Sequence, residues 1–148
     1  MKKNYIFLCP SDLFHYEAEA FVVRCLDDRF REAVEKFLSS RGIGYRDAES
    51  PAGGGKIFSD PEKETDRDFM VREIEKSVRL HGTRRVVFST HHDCGAYGSF
   101  ARFGGDEDKE FLFHREEHER ARRFLWERFP EMTIESYFID EKGIVKTS

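Results

Sequence analysis

Two short stretches bring together residue types that can hold a metal ion. One is Val86-Val87-Phe88-Ser89-Thr90-His91-His92-Asp93-Cys94-Gly95, an apolar, β-branched run that ends abruptly in imidazole, carboxylate and thiol groups. A buried strand has this form when it delivers soft ligands at its carboxyl end. His91 and Cys94 form H-x-x-C, half of a tetrahedral zinc site, and His92 would give H-x-C instead. The other stretch is Cys25-Leu26-Asp27-Asp28-Arg29, a C-x-D-x-R pattern that follows a second apolar run. If the strands that end in these clusters are parallel neighbours, Cys25, His91 and Cys94 converge. Two thiolates and an imidazole leave one coordination position open, which is the composition of a catalytic zinc site rather than a structural one. Such a metal lowers the pKa of a bound water toward neutrality and makes hydroxide available. Asp27, two residues beyond a ligand, can accept a hydrogen bond from that hydroxide. Arg29 can hold the carboxylate in a bidentate pair and keep it off the metal.

Two further patterns compete for attention. His114-Arg115-Glu116-Glu117-His118 matches H-x-x-E-H, the inverted zinc-protease pattern with histidines four apart on a helix. It lacks a third ligand, and in so dense a run of Glu and Arg its histidines read as chance members of a solvated face. The run Pro51-Ala52-Gly53-Gly54-Gly55 could cradle an anion through its N–H groups, but no Gly-Lys-Ser/Thr follows, and it reads as a mobile loop. Cys9 has no partner motif and reads as structural or incidental.

The elements that must position the clusters follow from periodicity and turn chemistry. Residues 1–17 read as an arm packed on the domain or on a partner subunit. Ala18 to Cys25 reads as a strand. Asp27 or Asp28 caps a helix to about Ser40, with Phe30, Val34, Phe37 and Leu38 on one face and Gly42 closing it. Ile43 to Arg46 is a short strand, and 47–59 a loop. Asp60-Pro61 starts a helix that passes Phe69, Met70, Ile74 and Val78 and stops near Leu80, before Gly82. Arg84 to Thr90 is the third strand. Glu107 to Phe129 is a long charged helix with Phe111, Ala121, Phe124, Leu125 and Phe129 as its buried stripe, and Met132 to Ile139 is a fourth strand. This alternation predicts a single α/β domain over 1–148, a three-layer, Rossmann-like open sheet. The sheet is mainly parallel, of about four to five strands, with helices on both faces. Ligands gather at the carboxyl ends of such strands, where the strand order reverses.

Composition bounds the partners. The 148 residues carry a formal charge of −4, which gives no long-range attraction for phosphate backbones, so nucleic acid is not expected. No apolar run reaches the length of a membrane span, and the apolar stretch after Lys2-Lys3 is too short for a secretory signal. Three widely spaced cysteines do not make a disulfide framework and point to a reducing cytoplasm.

The two clusters resemble the signature motifs of the β-class carbonic anhydrases, whose typical forms are C-x-D-S-R and G-H-S/T-D-C-G. The helix over Ile74 to Gly82 and the stretch Tyr137-Phe138-Ile139-Asp140-Glu141-Lys142-Gly143 are also similar to that family. The resemblance implies Zn2+ held by Cys25, His91 and Cys94, and it favours His91 over His92, which is left to the pocket rim or solvent. It implies an Asp27–Arg29 dyad, with Asp27 orienting zinc-bound hydroxide for attack on carbon dioxide to give bicarbonate. It implies a homodimer or a dimer of dimers. Asp28 stands where serine is usual, His92 where serine or threonine is, and Thr90 where glycine is. Pro51-Ala52-Gly53-Gly54-Gly55 stands where the family has Arg-Asn-Ala-Gly. Related folds with this metal site hydrolyse carbonyl sulfide or carbon disulfide, and a non-catalytic zinc protein with Asp27 closing the site is a further alternative.

Overall fold

The computed structural model describes residues 1–147. Five strands form one sheet: β1 (Ala20–Val23), β2 (Arg46–Glu49), β3 (Arg85–His91), β4 (Thr133–Ile139) and β5 (Ile144–Lys146). Their order is β2-β1-β3-β4-β5, parallel except for β5, which returns antiparallel to β4. The first and third strands are therefore parallel neighbours, with Val23 beside Phe88. The chain leaves β1 toward one edge to form β2 and toward the other to form β3. That makes the β1/β3 crevice the switch point of the fold.

Alternation along the strands splits the core between the two faces. Val22 and Val87, with Tyr137 and Ile139, pack under α1 (Arg31–Ser40) through Val34 and Leu38. Phe21, Val23, Val86 and Phe88 face the other layer. That layer is built from α2 (Lys56–Ser59), α3 (Glu64–His81) and α4 (Glu107–Arg128). Gly82, at φ +64°, takes the left-handed position that ends α3, as its glycine requires.

Four expectations need correction. The second strand lies at Arg46–Glu49 rather than Ile43–Arg46, because Ile43 is buried against α1 and only residues 46–49 pair with β1. Asp60 does not cap α3; its backbone N–H and its carboxylate both return to Lys56, closing α2, and α3 begins at Glu64. The tail after Lys142-Gly143 is a fifth strand. The buried face of α4 is not the phenylalanine stripe: Ala121 and Leu125 are buried, but Phe111, Phe124 and Phe129 are only partly so. Glu110, His114, Glu117, His118 and Arg122 fill the rest of that face. The histidines read as solvated are 0% and 1% exposed. Among the described residues, no helix is long and apolar enough to cross a membrane.

Candidate metal centre

Cys25 follows β1 by two residues, His91 is the last residue of β3, and Cys94 closes the turn after it. Parallel pairing of β1 and β3 brings the three together, with one ligand atom of each within 4.8 Å of the others. The two sulfurs are 4.0 Å apart. Two sulfurs on one tetrahedral zinc, at about 2.3 Å each, would be about 3.8 Å apart, so little movement separates this geometry from a filled site. His91 Nδ1 donates to the His92 carbonyl at 2.7 Å, which fixes the tautomer and leaves Nε2 with a free lone pair. That Nε2 is buried and has no hydrogen-bond partner among the described residues. A buried acceptor aimed at two thiols and otherwise unsatisfied is what a metal would complete. Among the described residues, no other group of three potential ligands gathers in this way; His114 and His118 of the H-x-x-E-H pattern are buried with ring centroids 6.3 Å apart, and they gather no third ligand.

The glycine run is not a mobile loop. Gly53, Gly54 and Gly55 are buried, and the Gly53 N–H donates to Cys25 Sγ at 3.2 Å. Gly54 has φ +55°, and a Cβ there would collide with the Ser89 carbonyl and crowd the Cys25 amide. The run thus packs across the β1/β3 crevice and donates to a sulfur, which a side chain at Gly54 would prevent. Proximity in sequence gives no sign of this, because Gly53 lies 28 residues from Cys25. A groove of about 630 Å3 lined by Pro51, Ala52, Lys56 and Ala96 opens beside this wall.

Asp27 both caps a helix and pairs with Arg29. Its Oδ1 accepts the Arg29 backbone N–H at 3.0 Å. The Arg29 guanidinium grips the same carboxylate, Nε at 3.1 Å from each oxygen and Nη2 at 2.7 Å from Oδ2. Asp27 Oδ2 also lies 3.8 Å from His91 Nε2, next to the candidate metal position. Arg29 has a second anchor absent from the sequence reading. Its Nη1 meets Asp93 Oδ2 and its Nη2 the Asp93 carbonyl, both at 3.2 Å. The Phe30 ring lies 4.8 Å from the His91 ring. His92 is not part of that cluster; its Nδ1 meets Glu110 Oε2 at 2.6 Å and its ring packs on Phe100.

The electrostatics match this geometry. The Arg29 side chain, with its backbone N–H, holds the Asp27 carboxyl down to about 2 against the opposing effect of burial. The Cys94 thiol, with His91 and the Asp27 and Gly53 N–H groups, pulls the Cys25 pKa well below that of a free thiol, although burial opposes this. The same contact with Cys25, together with burial, pushes Cys94 up. Burial lowers the His91 pKa, but the adjoining Cys25 sulfur and the His92 carbonyl more than reverse it.

A family model described as "Putative carbonic anhydrase" matches residues 16–147. The chain belongs to this family. Among solved carbonic anhydrases, the β-carbonic anhydrase isoform I of Trichomonas vaginalis is similar over 93% of this chain and 87% of its own. Its TM-score is 0.62 and its identity 15%. The carbonic anhydrase of Streptococcus mutans is similar over 95% and 88%, with TM-score 0.62 and 17% identity. At these identities the likeness establishes the shared fold. Sequence relatives in Rickettsia bellii (23% identical over 133 residues, 88% of this chain and 81% of the relative) and Rickettsia conorii (24% over 138 residues, 88% and 72%) are uncharacterised proteins. The carbonic anhydrase family match leaves out only the first 15 residues and the last.

Proposed function

We propose that this carbonic anhydrase family member binds one zinc ion through Cys25, His91 and Cys94 and interconverts carbon dioxide and bicarbonate. The observation that carries the reading is the unpartnered, buried His91 Nε2 beside two thiols, with a clamped carboxylate 3.8 Å away. Zinc held by three protein ligands acts as a Lewis acid that makes water nucleophilic near neutral pH. The chain's own residues would do the rest. Asp27, ionised and held by Arg29, accepts a hydrogen bond from the attacking water and fixes its orientation toward the carbon of carbon dioxide. Arg29, held in turn by Asp93, keeps both Asp27 oxygens engaged and so keeps the carboxylate out of the fourth position. The Phe30 ring gives His91 an apolar flank that sheds water. A reducing cytoplasm suits two ligand cysteines that must stay unoxidised. The arm over residues 1–15, exposed throughout, supports a homodimer.

Stopped-flow hydration of carbon dioxide by zinc-loaded protein tests the reading, with proton release measured against a metal-free control. Zinc-dependent turnover that is lost in Cys94→Ser is expected. No hydration above the control, at neutral or mildly alkaline pH, would refute it. Carbonyl sulfide and carbon disulfide run in parallel test the hydrolase alternative. A second reading draws on the nearness of Asp27 to His91 Nε2. If Asp27 takes the fourth position at rest, the protein is a closed zinc site without turnover, and the same assay separates the two.

A further inference from the structure

We propose that Glu110 is a positioning residue of the metal centre, acting through His92 and Asp93 to set both the His91 imidazole and the Arg29 guanidinium. Glu110 stands in the first turn of α4, outside both sequence clusters, and is 1% exposed. A carboxylate taken this far from water must be matched by donors. Its two oxygens take them from consecutive residues of the ligand-bearing turn. Oε1 accepts the Asp93 backbone N–H at 2.8 Å, and Oε2 meets His92 Nδ1 at 2.6 Å.

Those two residues are the ones that orient the centre. The His92 carbonyl accepts from His91 Nδ1 and so fixes which ring nitrogen faces the thiols. Asp93 holds Arg29 through its carboxylate and its carbonyl, and its Oδ1 accepts the Phe100 N–H at 2.9 Å. Asp93 also stands at φ +55°, a left-handed position uncommon outside glycine, asparagine and aspartate, and the Glu110 carboxylate accepts the N–H that this turn presents. The chain of control therefore runs from one buried carboxylate to a candidate metal ligand on one side and to the Asp27 clamp on the other. His92, which stands where the β-class motif has serine or threonine, supplies a side chain long enough to reach Glu110.

The inference rests on the metal reading of Cys25, His91 and Cys94, so its test reads the metal directly. Zinc affinity is measured by competition with a chromophoric chelator, and ligand geometry from the visible spectrum of the cobalt(II)-substituted protein, for wild type, Glu110→Ala, Glu110→Gln and Glu110→Asp. Removing an outer partner of a metal ligand costs about 10–100-fold in affinity, and for Glu110→Ala, which acts one residue further out through His92 and Asp93, the lower end of about tenfold is expected, with an altered cobalt spectrum. Glu110→Asp draws the carboxylate back by one methylene and should show the same loss, which decides the matter if the alanine variant does not fold. Glu110→Gln keeps an acceptor for Asp93 and a partner for His92, and should restore the wild-type spectrum and most of the affinity. Wild-type affinity and spectrum in a folded Ala or Asp variant would overturn the proposal. So would a Gln variant as weak as Ala, since geometry would then not be what Glu110 supplies. Wild-type protein that takes up no zinc would defeat the metal reading itself. Wild-type protein that binds zinc without hydrating carbon dioxide would defeat only the proposed reaction, and the Glu110 comparison would stand.

Discussion

Asp27 is pulled two ways, toward the Arg29 guanidinium that grips both its oxygens and toward the candidate metal position beside His91 Nε2. Arg29→Ala removes the first pull. The expected result is that turnover falls by about 100-fold or more while zinc stays bound, read from hydration kinetics together with metal content. Full activity in that variant would remove Arg29 from the gating role. The same pair has a signature in acid. The folded Asp27 pKa lies below its unfolded value, so the pair contributes stability above about pH 4 and loses it as pH falls through about 2. That share is small, because Arg29 is largely exposed. Gly54 is a separate residue-scale test. Gly54→Ala forces a Cβ against the Ser89 carbonyl at a left-handed φ, and should cost about 3 kcal/mol in urea unfolding. The five candidate residues were legible in the sequence because C-x-D-x-R and H-x-x-C place them at fixed offsets from strand ends. Gly53, Asp93 and Glu110 were not, since their roles are backbone and side-chain bonds made across the fold.

At the scale of elements, α4 departs furthest from its sequence reading. Its 3.6-residue period was legible, but the face it buries carries Glu110, His114, Glu117, His118 and Arg122, residues that hydropathy assigns to solvent. His118 is partnered by Thr90 and Thr147. Arg122 donates to Ser136. These partners come from β3, β4 and the segment after β5, so no local pattern announces them. His114 is different: it packs among Tyr97, Phe113 and Phe138, and both its ring nitrogens lack partners among the described residues. Burial holds its pKa down to about 3, and drives that of His118 well below the ordinary histidine value. Both are neutral when folded and take up protons when unfolded, so the unfolded state binds more protons below about pH 6.5. Stability should therefore fall as pH drops, by about 1.4 kcal/mol per pH unit for each histidine at the steepest. Urea unfolding at a series of pH values measures that slope. His114→Leu should remove one histidine's share of it and add about 1 kcal/mol at neutral pH, because an apolar side chain leaves no orphaned nitrogen. An unchanged acid slope in that variant would contradict the assignment.

For the whole molecule, strand–helix alternation was enough to predict the open parallel sheet, while the adjacency of β1 and β3, on which the convergence of their ends depends, comes from the strand order. The edges were harder to read. β2 is a polar four-residue strand, Arg46-Asp47-Ala48-Glu49, with neither the apolar alternation nor the β-branched content that marks a strand. β5 has three residues and exists because β4 offers an edge to pair with. The arm over residues 1–15 is exposed throughout, including Ile6, Phe7, Leu13 and Phe14. So much apolar surface on one segment is what the proposed dimer would cover. Sedimentation should give twice the 17.4 kDa chain mass, and removal of residues 1–14 should shift it toward the monomer. A full-length monomer at micromolar concentration would contradict the dimer. Zinc X-ray absorption on the loaded protein reads the proposed three-ligand centre at the β1/β3 crevice. Two sulfurs at about 2.3 Å and two light atoms at about 2.0–2.1 Å, one of them imidazole, are expected, with one sulfur lost in Cys25→Ser. Any other sulfur count, or a spectrum unchanged by Cys25→Ser, would contradict it.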